Sequence, residues 1–464
     1  MILPREVNLD TGKNQTHDEQ LARANRPSAE ALRLHPFYKG KIQTVAKVPV
    51  RDWDDFSIWY TPGVAAPCRA IAAEPDLAYE YTNKANTVAI VTDGTRVLGL
   101  GDIGPRGGMP VMEGKALLFK YLGGVDAVPI CLDTHSAEDI VNTVRLIQPT
   151  YGGINLEDIA QPRCFEVLDT LRADPRIEIP VFHDDQQGTA TVLLAGLLNA
   201  LKLTKRDIRN TRFAMVGMGA ANVATLRLLQ ASGVSLEQVV ACDSRGILHR
   251  EREDVIARQE AFPDKYMLCM ESNARDLRGG PAEAMADADV LIAFATPGPG
   301  TIKPEWVHAM APNSIVFACS NPVPEIWPWE AQEAGACIVG TGRSDFANQL
   351  NNSLGFPGIF RGALDVRART ITDEMCLAAA QSLADLGEVR GLDDQHIIPD
   401  MNEPDLYAHE AAAVGLKAIE QGVARLTLSR QELFEGAAAR IAAARSLIET
   451  MMREELIPPV PPEA

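Results

Sequence analysis

The chain has no long apolar run, no cysteine pair spaced for a metal, and no dense block of lysine and arginine. A helix that crosses a bilayer needs about 20 consecutive apolar residues, so a membrane span is excluded. The opening stretch, MILPREVNLDTGKNQTHDEQ, lacks the apolar core of a secretory signal and the Arg/Ser bias of a transit peptide. A cytoplasmic protein is therefore expected. The eight cysteines (Cys68, Cys131, Cys164, Cys242, Cys269, Cys319, Cys337 and Cys376) are scattered, and most lie in apolar runs such as VPICLD and VFACSNP. Buried free thiols in a reducing compartment are expected, and a cysteine-ligated zinc is not. Lys and Arg total 44 against 62 Asp and Glu, a formal net charge of −18. A nucleic-acid binder usually carries a basic face, whereas an acidic excess without a dense Lys/Arg run implies mainly solubility, and an anionic substrate needs its own local positive charge. No internal repeat is visible.

What is present suits a large globular enzyme. The 464 residues correspond to two or three domains at roughly 100–200 residues each. Residues 1–25 are polar and are expected to form a loose or partner-docked arm. From Asn86 onward, short β-branched runs alternate with helix-length segments. TVAIVTDGTRVLG places a D-G pair between two apolar stretches, a hairpin signal. AVPICLD, GGINLED and IPVFHDD read as strands, with helices over 136–147 and 162–172 between them. Such alternation argues for a parallel sheet covered by helices. After an apolar helix over about 188–202 the pattern restarts with RFAMVGMG, QVVACD, ADVLIAFATPG, NSIVFACSNP and ACIVGTG. These five strands suit a Rossmann-like, doubly wound dinucleotide domain. The expected organisation is an α/β substrate domain over 26–185, a dinucleotide domain over 186–400 and a helical tail over 401–464.

Gly217-Met218-Gly219-Ala220-Ala221-Asn222 follows the first strand of the second half. Gly217 permits a tight turn, and Gly219 lets backbone approach a pyrophosphate at a helix N-terminus. Asn222 stands where a third glycine is usual. Asp243 ends the next strand, where an acid binds the ribose hydroxyls of NAD. Its carboxylate leans the cofactor preference from NADP towards NAD, although Arg245 and Arg250 lie close enough to reverse it.

Two acidic pairs, Glu157-Asp158 and Asp184-Asp185, end predicted strands. Carboxylates converging there repel unless a cation joins them, and an oxygen-only set suits Mg²⁺ or Mn²⁺. Each pair alone is equally readable as a surface or capping feature. Arg96 lies in DGTRVLGLGDIGPRGGMPVMEGK, whose seven glycines are unusual for a structural core. Lys115 opens a predicted apolar helix; beside a bound dication and partly desolvated, its pKa would fall and it could act as a base. Tyr60, in IWYTPGVA, is held before a Pro-Gly turn. Taken singly, Arg96, Lys115 and Tyr60 are as readily an exposed arginine, an exposed lysine and a packed aromatic. His183, beside the aspartate pair, reads as a packing or supporting group rather than a ligand.

Taken together, YTPGVA, TDGTRVLGLGDIG, EGKALLFK, INLED, PVFHDDQQGTA, CSNP and TGRSDFANQLNNSLGFPGIFRGALDVRA resemble the malic enzyme family in its shorter bacterial form, over about residues 29–410. The resemblance implies oxidation and decarboxylation of malate to pyruvate with NAD or NADP and a divalent metal. It implies Tyr60 as general acid and Lys115 as general base, with Asp184 supporting. It further implies Arg96, Asn321 and Asn352 on the substrate, and Glu157, Asp158 and Asp185 as metal ligands. A homodimer or larger homo-oligomer is also implied. Gln187 departs from the expected histidine, and the stretch after Asp243 and the last fifty residues match least. A malolactic enzyme, a hydroxyacid dehydrogenase that does not decarboxylate, and a non-catalytic dinucleotide sensor are the competing readings.

Overall fold

The computed structural model describes residues 17–343 and 345–462. Its first sheet is built from β1 (Thr87–Thr92), β2 (Asp126–Cys131), β3 (Gly153–Leu156) and β4 (Val181–His183), in the order β2-β1-β3-β4. All three pairings are parallel. Parallel strands need a crossover, and apolar helices supply it. The helix Ala137–Ile147 starts on Ser136, whose hydroxyl accepts from the Asp139 N–H at 3.3 Å. Its Ile140, Val141 and Val144 pack with Ile154, Leu156, Val167 and Leu171 into one of the cores of this half.

The expected hairpin at Asp93-Gly94 does not form. β1 is an inner strand with a parallel neighbour on each side, and beyond it only an isolated bridge joins Val97 to Gly101. Gly94, at φ +68°, turns the chain away, and its carbonyl accepts from the Gly104 N–H at 3.1 Å. The segment carrying Arg96 is thus a loop at the C-terminal end of β1. Nor does Lys115 open a helix: it sits in the middle of Gly104–Gly123. The polar N-terminal stretch is helical from His17 to Tyr38; residues 1–16 of the expected arm lie outside the described residues.

The second sheet has the order β10-β9-β8-β5-β6-β7, with β5 Phe213–Val216, β6 Val239–Asp243, β7 Gly246–Ile247, β8 Val290–Ala293, β9 Ile315–Ala318 and β10 Ile338–Thr341. The five strands read from sequence run parallel. The two-residue β7, antiparallel to β6, was too short to show a periodicity. The helix Thr189–Leu203, buried along almost its whole length, connects the two sheets. Five of the eight cysteines are buried free thiols as expected, but Cys68 and Cys337 are exposed.

The helices Phe356–Asp365, Asp373–Arg390, Leu406–Glu420 and Arg430–Arg453 complete the chain, and they return to the first sheet. Phe356 and Phe360 meet Phe119 of the 104–123 helix at ring-centroid distances of 4.6 and 5.3 Å, and Phe360 meets Phe182 of β4 at 5.5 Å. All four rings are buried. Arg33 donates to the Pro461 carbonyl at 2.9 Å, and Tyr38 to that of Pro458 at 3.1 Å, so the proline-rich end lies along the first helix. Little of the chain covers residues 41–73, where Trp53 is 86% exposed and Val50, Phe56, Ile58 and Trp59 are also open.

Because the phenylalanine cluster joins three separate segments, Phe360→Ala is expected to destabilise the protein by about 3–5 kcal/mol, read as a lower midpoint in denaturant unfolding. An unchanged midpoint would show that the cluster does not hold these segments together.

Candidate active site

The C-terminal ends of β3 and β4 bring the acids together. Glu157 and Asp158 follow β3, Asp184 and Asp185 follow β4, and Leu156 of β3 lies level with His183 of β4. Lys115, 7% exposed, reaches into them from the 104–123 helix. Its Nζ lies 2.8 Å from Glu157 Oε1 and in contact with Asp184, and 4.5 Å from the centre of the Phe356 ring. Burial alone pushes the Lys115 pKa down. The carboxylates of Asp184, Glu157 and Asp185 together outweigh it, so without a dication the ammonium is held above the usual lysine range rather than below it. Burial raises the pKa of Glu157, Asp158, Asp184 and Asp185, and neighbouring carboxylates add to the effect at the first three.

Oxygens of Glu157, Asp158 and Asp185 lie within 4.8 Å of one another. Asp158 Oδ2 is buried without a partner, an orphaned acceptor of the kind that a cation satisfies. An all-carboxylate set with buried, mutually repelling members fits a hard dication such as Mg²⁺ or Mn²⁺. Asp184 points elsewhere, onto the amine. His183 is buried with no hydrogen bond to either ring nitrogen, Nδ1 lying 3.7 Å from Asp185 Oδ2, and burial lowers its pKa to about 4. It is therefore a neutral group behind the acids.

The loop carrying Arg96 is fixed from two sides. Asp93, buried, accepts from the Thr95 hydroxyl at 2.6 Å and from Arg163 Nε at 2.9 Å. The Arg96 N–H donates to the Asp158 carbonyl at 3.0 Å, and the Asp158 N–H donates to Asp185 Oδ2 at 2.7 Å. Asp158 makes both bonds at φ +54°, in the left-handed region that aspartate tolerates better than most residues. Arg96 itself is exposed, and its charge favours the ionised form of Asp185.

The glycine turn follows β5. Gly217 has φ +87°, and a Cβ there would lie 2.3 Å from the Phe294 carbonyl oxygen, so no other residue fits. Around Gly219, the N-cap of the helix Ala220–Ala231, a Cβ would meet nothing within 4 Å. The first N–H groups of that helix, from Ala220 and Ala221 onward, lack intrahelical acceptors and can receive a phosphate. Asn222 points inward, donating to the carbonyls of Val216 and Gly217 at 3.1 and 2.7 Å. Its side chain braces the turn and its backbone N–H alone remains for a ligand.

Asn321 and Asn351 come to one place at Gly342. Its carbonyl accepts from Asn321 Nδ2 at 3.5 Å and from Asn351 Nδ2 at 2.8 Å, and Asn352 is the next residue. The Arg96 loop closes on the same spot: a Cβ on Gly99 would lie 2.4 Å from the Asn321 carbonyl oxygen. Tyr60 is not brought in. It ends a short helix, Asp55–Trp59, is 71% exposed, and makes no hydrogen bond through its hydroxyl to any described residue. Sequence reasoning missed the braces. Buried Glu325 accepts from the Ala295 N–H at 2.7 Å and the Ser320 hydroxyl at 2.6 Å, holding the loop of Asn321. Asn155 donates to Glu157 Oε2 at 2.8 Å. Asn155 is the one polar residue in the fully buried strand β3, the one available signal.

Comparison with known proteins agrees with this geometry. The family model of the malic enzyme N-terminal domain matches residues 39–172, and that of the malic enzyme NAD binding domain matches residues 186–421. A bifunctional malic/malolactic enzyme of Bacillus subtilis is 46% identical over 406 residues, covering 88% of this chain and 96% of the relative. An NAD-dependent malic enzyme of Geobacillus stearothermophilus is 48% identical over 388 residues, covering 83% and 78%. The crystal structure of the Entamoeba histolytica malic enzyme superposes with a TM-score of 0.93 at 47% identity, over 98% of this chain and 95% of that one. With both family domains in order and full-length likeness to such relatives, the chain belongs to the malic enzyme family.

Proposed function

We propose that this chain oxidises malate and decarboxylates the product to pyruvate, with Lys115 as the group that moves the proton at the C2 oxygen. The observation that carries the reading is the buried contact of Lys115 with Asp184 beside the Glu157–Asp158–Asp185 cluster. When bound, NAD or NADP takes the C2 hydride, and Mg²⁺ or Mn²⁺ among the three carboxylates polarises the C2 oxygen. Neutralising those carboxylates removes the pull of Glu157 and Asp185 on Lys115 and leaves that of Asp184. Burial, the largest single influence on it, then favours the neutral amine. That amine accepts the C2 hydroxyl proton as the C2–H bond breaks and a C2 carbonyl forms, giving oxaloacetate. Asp184, in contact with Nζ, holds the ammonium so produced. The C3–C4 bond then breaks, CO₂ leaves, and the electron pair passes into an enolate that takes a proton at C3. Arg96, Asn321 and Asn352 orient the diacid, Arg96 by charge and the asparagines by hydrogen bonds.

Tyr60 is the acid for C3 in this reading. It lies on the open face around Trp53 and Ile58, so the reading requires that face to be covered, and a second copy of the chain is the proposed cover. Large exposed apolar patches of this kind mark interfaces. Residues 26–185 then hold the acids and the amine, 186–400 the dinucleotide and 401–464 the supporting tail, in a cytoplasmic enzyme. The name of the Bacillus subtilis relative, a bifunctional malic/malolactic enzyme, keeps a second reading open. Lactate formed from malate without net reduction of the dinucleotide would favour it.

With malate, Mn²⁺ and either dinucleotide, the enzyme is expected to form pyruvate, CO₂ and reduced cofactor together. Lys115→Ala should lower turnover by at least about 100-fold while dinucleotide affinity and circular dichroism stay unchanged; near-normal turnover removes Lys115 from the proton transfer. Asp158→Asn should weaken Mn²⁺ binding about 10-fold or more, followed by the electron paramagnetic resonance of free Mn²⁺, and equal affinity would place the ion elsewhere. Sedimentation should give a dimer or larger assembly, and Ile58→Asp should shift it towards monomer with loss of activity. A wild-type monomer at assay concentration that turns over normally would sink the covered-face reading.

A further inference from the structure

An acid at the end of the second strand of a dinucleotide sheet ordinarily accepts from the ribose hydroxyls and repels a 2′-phosphate. Asp243 has that place: it ends β6, and the Gly217 N–H of the glycine turn donates to the carbonyl of the preceding Cys242 at 2.9 Å. Its carboxylate, however, is already engaged. Oδ1 accepts from the Arg245 N–H at 2.9 Å and from Arg252 Nη2 at 3.1 Å. Oδ2 accepts from the same Arg252 nitrogen at 3.1 Å and faces Lys265 Nζ at 3.5 Å. The Asp243 and Arg252 side chains are each 9% exposed.

Arg252 cannot easily leave this position. Asp254 grips it at 2.7 and 2.9 Å, and its Nη1 donates to the Gly246 and Ile247 carbonyls, each at 3.3 Å. The Arg245 side chain, 68% exposed, is tied among the described residues only to Asp254 Oδ2 at 3.1 Å, an oxygen that also accepts from Arg252, a surface pair of the weakly held kind. Arg250 has turned away, donating to the Met270 carbonyl at 3.1 Å. Three cations therefore face two carboxylates at the ribose end of the turn, and the most exposed of the five groups is an arginine. The charge there favours a phosphate dianion, against the lean towards NAD that Asp243 alone gives.

We infer that Arg252 and Lys265 neutralise Asp243 and that Arg245 then takes a 2′-phosphate, so that this chain accepts NADP as readily as NAD. The inference rests on the reading that the 217–222 turn holds the dinucleotide. Arg245 and the 2′-phosphate would form a charge-assisted, forked contact, while a 2′-hydroxyl can donate to Asp243 Oδ2, which accepts one hydrogen bond, from Arg252.

The test uses the whole enzyme and two fragments, 2′,5′-ADP and 5′-AMP, titrated by calorimetry, with kcat/KM measured for NADP and NAD alongside. The wild type is expected to bind 2′,5′-ADP at least as tightly as 5′-AMP, and to use the two cofactors within about 10-fold of each other. Arg245→Ala should lower the affinity for 2′,5′-ADP about 10-fold more than that for 5′-AMP. Arg252→Gln, which frees Asp243, should move the same ratio further in the same direction. Weaker wild-type binding of 2′,5′-ADP by about 10-fold or more, or equal effects of Arg245→Ala on both fragments, would overturn the inference and leave the dinucleotide site standing. Failure of both fragments and of NAD to bind would overturn the site itself and the inference with it.

Discussion

Lys115 holds its ammonium against Asp184 and Glu157 in a place that water scarcely reaches, and most of the site follows from that contact. Four carboxylates stand around one cation. Like charges so close and so buried cannot all remain ionised without help, and their pKa values are raised accordingly. The amine satisfies one side of the group. The orphaned oxygen of Asp158 marks the other, and a dication there relieves the repulsion and loosens the hold on the lysine proton together. Metal affinity and lysine basicity are in this sense one electrostatic balance viewed from two ends.

The scaffold exists to keep that balance in register. Parallel pairing of β3 with β4 sets the two acidic pairs side by side, and the left-handed backbone of Asp158 ties the Arg96 loop to Asp185 through one residue. Below the amine lies the ring of Phe356, packed in turn on Phe119. An aromatic floor excludes competing donors and stabilises the cationic form through its face. The final helices supply that floor, which explains why a tail remote in sequence returns to the first sheet.

Much of this was legible beforehand, for identifiable reasons. The nine strands other than β7 announce themselves by short apolar, largely β-branched runs, and the crossover helices by their apolar faces. The acids, Lys115, Arg96 and the glycine turn carry chemistry that a chain-level reading can weigh. The hairpin at Asp93 failed because a D-G pair signals a turn but not the direction in which the chain leaves it; the parallel neighbours of β1 and the left-handed Gly94 decided that. Asn222 stands where a third glycine is usual, and its amide turns inward to carbonyls that no sequence pattern exposes. Glu325 and Arg252 were passed over because their partners are 5 and 9 residues away in irregular segments without periodicity. The openness of Tyr60 was equally invisible, since Pro62 and Gly63 describe a local turn and not what covers it.

The junction between the two sheets shows how far local chemistry and global architecture are the same problem here. β4 ends at His183, residues Asp184–Gly188 wind into a single wide helical turn, and the connecting helix Thr189–Leu203 begins at once. Wide turns of this type collect at functional sites, and this one lets two successive aspartates face different partners: Asp184 the amine, Asp185 the acid cluster. Gly188 makes it possible, for a Cβ there would lie 1.8 Å from Asp184 Oδ1. The residue that holds the lysine is thus on the covalent path that carries the chain to the dinucleotide sheet. The five residues Asp184–Gly188 hold both the partner of Lys115 and one acid of the cluster, so the link between the sheets and the acid site are built from one segment.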